Sequence, residues 1–259
     1  MIFSTTGVFP QNYGTAGYLN IHHSVGQASL ESSSPINPAA MILDTSNYIL
    51  LGAKPSRFGI SELNPCMISA QYKLDSSRVM GVNIYGLGGD LYSEISGELR
   101  FANQINDIVT VGASIEFNRL MIKNYENISY TTINIGAVIN LSESLKAGFA
   151  LRNLLRSNAG QDDKTTYQES VAGLSYRINS EIFIDADIAV IINSVSSFGF
   201  ALKYIPQKNF AIRTAFKTNP NILEIAAMLN IYSDISFSAG IDYNEIFGIS
   251  PELTIKFIM

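Results

Sequence analysis

From Asn47 onward the chain repeats one pattern: segments of about eight to twelve residues alternate apolar and polar side chains, and each is closed by a turn signal. Residues 109–118 show it plainly. Val109, Val111, Ala113, Ile115 and Phe117 fall on one side, and Thr110, Gly112, Ser114, Glu116 and Asn118 on the other. Strand side chains alternate faces, so this is a strand with one apolar and one polar face. The pattern predicts roughly fourteen strands, near 48–58, 66–74, 78–87, 90–102, 108–119, 128–140, 145–153, 166–178, 181–192, 195–205, 209–217, 222–232, 235–243 and 251–258. Tight turns at 75–77, 103–106, 142–144, 179–180, 206–208 and 233–234 follow the even-numbered strands. Longer loops are expected at 54–65, 120–128 and 153–166, while the turn at 193–194 is short. Short turns on one rim and longer loops on the other are the plan of an up-and-down membrane barrel, and an even strand count places both barrel ends on the short-turn side.

The two faces differ in content. One collects Met80, Val82 and Ile84, then Ile133 to Ile139 at every second residue, and continues in Phe149, Leu174, Ile184, Phe200, Ile225, Phe237 and Ile241, almost without charge. The other carries charges of both signs in mid-strand: Lys73, Glu94, Glu98, Arg100, Glu116, Lys146, Arg152, Glu169, Arg177, Asp185, Asp187, Lys203, Arg213, Lys217 and Asp242. Two stacked sheets would also alternate, with their apolar faces burying each other. A closed antiparallel barrel with its apolar face in lipid accounts better for a pattern that persists through nearly every strand, and closure removes the exposed edges. The expected fold is therefore an all-β, closed, up-and-down transmembrane barrel over residues 47–259. Residues 1–46, rich in Gly, Ser, Asn and Pro, form an N-terminal plug or strap segment; a soluble β-sandwich binding protein is the remaining alternative.

Composition sharpens this. Charged residues are 15% of the 259, against the usual quarter for soluble domains, and hydrophobic residues are 47%. Mean hydropathy is slightly positive, yet no apolar run approaches a transmembrane helix. A net charge of −5 without a basic block argues against nucleic acid as a partner. The single cysteine, Cys66, excludes a disulfide within the chain and is expected to pack in the interior or against lipid. The opening residues have no basic or strongly apolar leader, which read literally indicates a cytosolic chain and otherwise a processed one or a start placed too late. Tyr92, Tyr130, Tyr176, Tyr204, Tyr232 and Tyr243 lie near strand ends, as interfacial girdles or as ordinary strand residues.

Candidate chemistry is sparse. His22 and His23 are the only histidines, and an extended segment points them to opposite faces, so neither a metal nor a Ser–His–Asp grouping is expected. Asp185 and Asp187 share a face and are expected to pair with interior cations such as Arg177 or Lys203 rather than to act as acid and base. Asp162, Asp163 and Lys164 read as a solvated loop, and residues 86–90 as a strand turn, since no helix follows to make a phosphate site. No catalytic residue, cofactor or metal is expected.

Short segments resemble a family. "ASLESSSPINPAAMI", with Asn37-Pro38-Ala39 ahead of the first strand, resembles the element that opens PorV/PorQ-like proteins, relatives of the FadL outer-membrane barrels. "YSEISGELRFANQINDIVTVGASIEF", "LKAGFALRNLL", "ESVAGLSYRI", "SSFGFALKYIPQKNFAIRTAF" and "FSAGIDYN" resemble later strands in the same order, over about residues 14 to 258. The run with His22-His23, and the ending Phe257-Ile258-Met259 in place of a terminal aromatic, depart from the pattern. The resemblance implies a bacterial outer-membrane barrel with an N-terminal segment in or near the lumen, in which Asn37, Pro38 and Ala39 contact ligand or plug. It implies a non-enzymatic scaffold for protein secretion or a cell-envelope complex, with lipid and protein partners. The alternative is a FadL-like channel for hydrophobic small molecules. Charges in the lumen favour the scaffold, because a conduit needs a continuous apolar pocket.

Overall fold

The computed structural model describes residues 36–60, 64–124, 126–156, 158–159, 164–165, 168–192 and 195–259. Fourteen antiparallel strands close into one barrel: β1 Tyr48–Ala53, β2 Cys66–Lys73, β3 Arg78–Gly88, β4 Tyr92–Gln104, β5 Val109–Ile122, β6 Glu126–Asn140, β7 Leu145–Arg152, β8 Glu169–Arg177, β9 Ile182–Ile191, β10 Ser197–Gln207, β11 Phe210–Lys217, β12 Ile222–Asn230, β13 Ile235–Asn244 and β14 Gly248–Ile258. Each pairs with its sequence neighbours, and β1 closes on β14 from Tyr48↔Ile258 to Ala53↔Leu253. Both ends of the barrel thus lie on the short-turn rim. A two-residue ribbon, Asn158–Ala159 with Lys164–Thr165, stands apart from the wall sheet.

All fourteen expected strands are present, and a single closed sheet rules out the two stacked layers of a sandwich. Some boundaries differ. Residues 120–128 are not a long loop: β5 and β6 stay paired to Ile122↔Glu126, so the two strands rise into a tight hairpin. β1 ends at Ala53 rather than near 58, because Ser56, Phe58 and Gly59 adopt left-handed backbone that a strand cannot contain.

The outer face is apolar around the circumference. Ile135, Phe149 and Phe200 are 36%, 46% and 49% exposed, which excludes a second layer over them. Among the described strand residues the outward positions carry charge only at Arg78, on the short-turn rim, and Arg119, near the tip of β5. Cys66 also points outward, at the long-loop end of β2. On β5 the apolar outward run extends from Val109 to Phe117, about 26 Å along the strand and about 20 Å in height once tilted. Above it the outward residues are the polar Ser93, Arg119, Asn127, Ser129 and Thr131, with Met121 among them. The inward residues at that level include apolar Leu120, Ile128 and Tyr130, packed with Tyr92 and Ile122, beside the buried polar Glu94 and Asn118. The two faces of the hairpin therefore cease to sort by polarity where it leaves the apolar band. Tyr92 and Tyr130 consequently line the inside and belong to no outer girdle, whereas Tyr176, Tyr204, Tyr232 and Tyr243 are outward or exposed.

Candidate functional site

The inner face is assembled from three parts. The first is the segment before β1. Asn37 caps a short 3-10 helix, Pro38–Leu43, with its side chain accepting from the Ala39 amide at 3.0 Å; Pro38 suits the first helical position because its missing N–H has no helical partner to lose. Residues 37–41 are buried against the inner wall. A Cβ on Gly112 would overlap the backbone of Pro38 and Ala39, and one on Gly136 would overlap the Asn37 side chain. Glycine at these two places lets the segment lie directly on β5 and β6. Asn37 Nδ2 donates to the Ala137 carbonyl at 3.1 Å, and Arg100 Nη2 donates to the Asn37 carbonyl at 3.1 Å. Met41 packs on Val79 and Ala102, Ile36 on Ala150, Val171 and Ala189. At the far end Lys256 Nζ bonds the Asp44 carboxylate while sitting 4.3 Å over the Tyr48 ring, and Gln71 Nε2 donates to the Asp44 carbonyl. Residues 36–46 thus cross the inner wall from β7–β9 to β14. Burial works against the Asp44 carboxylate, but Lys256 and the Ser46 bonds outweigh it and hold its pKa below the ordinary 3.8.

The second part is a polar ladder on β2–β8. Ser69 Oγ donates to Asn83 at 2.6 Å, and Asn83 Nδ2 to Glu98 Oε2 at 2.8 Å. Glu98 stands directly opposite Glu116 across the β4–β5 ladder. Thr132 Oγ1 donates to Glu116 Oε2 at 3.2 Å, and Arg152 reaches both Glu116 at 3.8 Å and Glu169 at 3.3 Å. Arg152, Asn153 and Leu154 end this wall. Asn153 has φ +52 and gives its amide to Asn134 Oδ1 at 2.9 Å, and the Leu154 amide makes the last bond to β6, at Ile133. Beyond Ile133 the β7 side of β6 carries no barrel ladder bond among the described residues, and the ribbon strand Asn158–Ala159 lies against β6.

The third part is an ion cluster on β11–β14. Lys54, just past β1, lies 2.7 Å from Asp242 and 3.4 Å from Glu252, and Arg213 Nη1 bonds Glu224. All five are buried. Burial alone would pull the Lys54 ammonium down; Asp242, Glu252 and Glu224 raise its pKa above the ordinary 10.5, so it stays charged.

The expected interior charges distribute as follows. Glu94, Glu98, Arg100, Glu116, Asp185, Arg213 and Asp242 are buried on the inner face; Lys73, Lys146, Arg152, Glu169, Asp187, Lys203 and Lys217 are half-buried there. Arg177 is the correction: its position has inward parity, but it lies at the short-turn rim, exposed, donating to the Glu143 carbonyl at 2.9 Å. The sequence reading passed over Lys54, Glu224, Glu252, Lys256 and Tyr85. The signal was present, since outward Ile49, Leu51, Ile84, Leu223, Ile225, Leu253 and Ile255 force their neighbours inward. His22 and His23 lie outside the described residues, as do Asp162 and Asp163. Among the described residues no group of three acidic, His or Cys side chains is placed to hold a metal.

No family model and no curated protein matches the chain. Solved structures do. The toluene transporter TbuX of Ralstonia pickettii superposes at TM-score 0.66 with 11% identity, over 91% of this chain and 96% of that one. The toluene transporter TodX of Pseudomonas putida gives TM-score 0.66 at 10% identity, over 92% and 98%. A FadL homologue of Pseudomonas aeruginosa gives 0.64 at 9%, over 94% and 98%. At such identities the likeness is one of fold, the closed barrel shared with these transporters and the FadL homologue.

Proposed function

We propose that this chain is an integral barrel of the bacterial outer membrane that conducts small, largely apolar molecules, with its N-terminal segment as the plug. The observation that carries the reading is the wall itself. A complete ring of outward Ile, Leu, Val and Phe is far too large an apolar surface to face water, and its height fits the hydrocarbon layer. Inside, Asn37, Pro38 and Ala39 seat residues 36–46 near the short-turn rim, and the Leu120–Ile128–Tyr130 patch offers apolar contact at the long-loop end. The transporters whose fold it shares are named for toluene, which supports an apolar cargo.

Interior charges no longer weigh against a conduit as they did in the sequence, since the ion pairs seen lie within the walls or tie the N-terminal segment to them. A scaffold for exported proteins, the reading the sequence favoured, is supported by the short-segment resemblance alone; the fold comparisons support the conduit, and that is the reading we adopt.

The test is a reversible lock. The double variant Asn37→Cys, Gly136→Cys joins the plug to the wall where the two residues touch. Cells expressing the full chain in an outer membrane are expected to take up labelled toluene faster than cells without it. Oxidation of the double variant should abolish the gain and reductant restore it. Uptake indifferent to the chain, or to the lock, would remove the proposal.

A further inference from the structure

The polar ladder points to a ligand class that the apolar surfaces do not. Tyr85 points inward from β3 and is 0% exposed, and its hydroxyl has no hydrogen-bond partner. It lies opposite Ser96, one diagonal step from Glu98, within range of the charges of Glu98, Arg100, Glu116 and Arg152. Glu98 spends Oε2 on Asn83; its Oε1 is buried and unpartnered. A buried hydroxyl and a buried carboxylate oxygen without partners are a donor and an acceptor, each costly to leave unmet. The charges within range are two carboxylates, Glu98 and Glu116, and two guanidiniums, Arg100 and Arg152.

Resting on the conduit reading, we infer that the β3–β5 wall between Tyr85 and Glu98 is a binding station for the head of an amphipathic ligand, one whose head group donates a hydrogen bond. A ligand hydroxyl satisfies both partners, giving its proton to Glu98 Oε1 and accepting from Tyr85. An ammonium head donates to both. A bare hydrocarbon satisfies neither, and a carboxylate brings no proton and sets a second anion against Glu98 Oε1. The station therefore selects hydroxylated or aminated compounds over hydrocarbons, and rejects fatty acids.

A matched series tests this: toluene, benzyl alcohol, benzylammonium and benzoate, titrated calorimetrically against the full chain in detergent micelles, alongside Tyr85→Phe and Glu98→Gln. Tyr85→Phe keeps the ring and removes only the hydroxyl, so it reports even where Glu98→Gln fails to fold. Benzyl alcohol, benzylammonium or both are expected to bind roughly tenfold or more tightly than toluene, with benzoate weakest. Tyr85→Phe should cut the alcohol's advantage several-fold and leave toluene unchanged. Preference for the alcohol marks a neutral head and preference for the ammonium a cationic one; either supports the station. Equal binding of toluene and the donors, or benzoate binding as well as they do, overturns this inference while the conduit stands. No binding by any of the four, together with no gain in toluene uptake in cells, overturns both.

Discussion

The side-chain oxygen of Asn37 occupies the space that a Cβ on Gly136 would need, and its amide nitrogen bonds the next residue's carbonyl, Ala137. One asparagine thereby caps the short helix of the plug and fastens it to the wall. Gly136→Val should displace it while leaving the barrel closed, because the outward face of β6 is untouched. The expected result is an unchanged heat-dependent gel shift and new protease cleavage between residues 36 and 46. Asn37→Ala should weaken the seat by about 1–3 kcal/mol, in the same direction. Protease protection in both variants equal to that of the unaltered chain would show that the plug is held elsewhere.

Arg213 and Glu224 form a buried ion pair. Arg213→Met alone leaves a buried carboxylate and should cost about 3–5 kcal/mol, whereas Arg213→Met with Glu224→Leu should recover most of it. Urea unfolding in lipid vesicles measures both. A double variant no more stable than the single one would mean that Lys54 and Asp242 carry the cluster.

The position of the bilayer is testable from outside. Ile225→Arg, mid-band on β12, should lower folding stability in a bilayer by about 2–4 kcal/mol, and Ser129→Arg, on the projecting hairpin, should change it little. Similar losses at both positions would contradict an apolar band that holds Ile225 and leaves Ser129 outside it.

Acid should loosen the far end of the plug. The Asp44 pKa is held below 3.8 in the folded chain, so the carboxylate's contribution is present above that value and is lost as pH falls through the lower, folded value. Proteolysis of residues 36–46 by an acid-active protease is expected to rise as pH drops below 3.8. Lys256→Met should show that susceptibility already at neutral pH.

Fourteen strands, their faces and most of their limits were legible in the sequence because alternation is a local property. A residue's parity against Ile135 or Phe200 states its side of the sheet without knowledge of any partner. The same rule, applied to Leu223 and Leu253, would have brought Glu224 and Glu252 into the interior set. The hairpin at 120–128 escaped because its faces mix: once Leu120 and Ile128 turn inward and Ser129 outward, the alternation that marks a lipid-facing strand no longer distinguishes strand from loop.

The chain by itself determined which side chains share a face, since that depends only on spacing along an extended backbone. Tertiary structure alone decided what meets across the barrel: that Gly112 and Gly136 are the floor on which Pro38, Ala39 and Asn37 rest, that Lys54 finds Asp242, and that Glu98 stands opposite Glu116. Those contacts join residues far apart in sequence. Their existence depends on the curvature and register by which fourteen strands close, which no local spacing records.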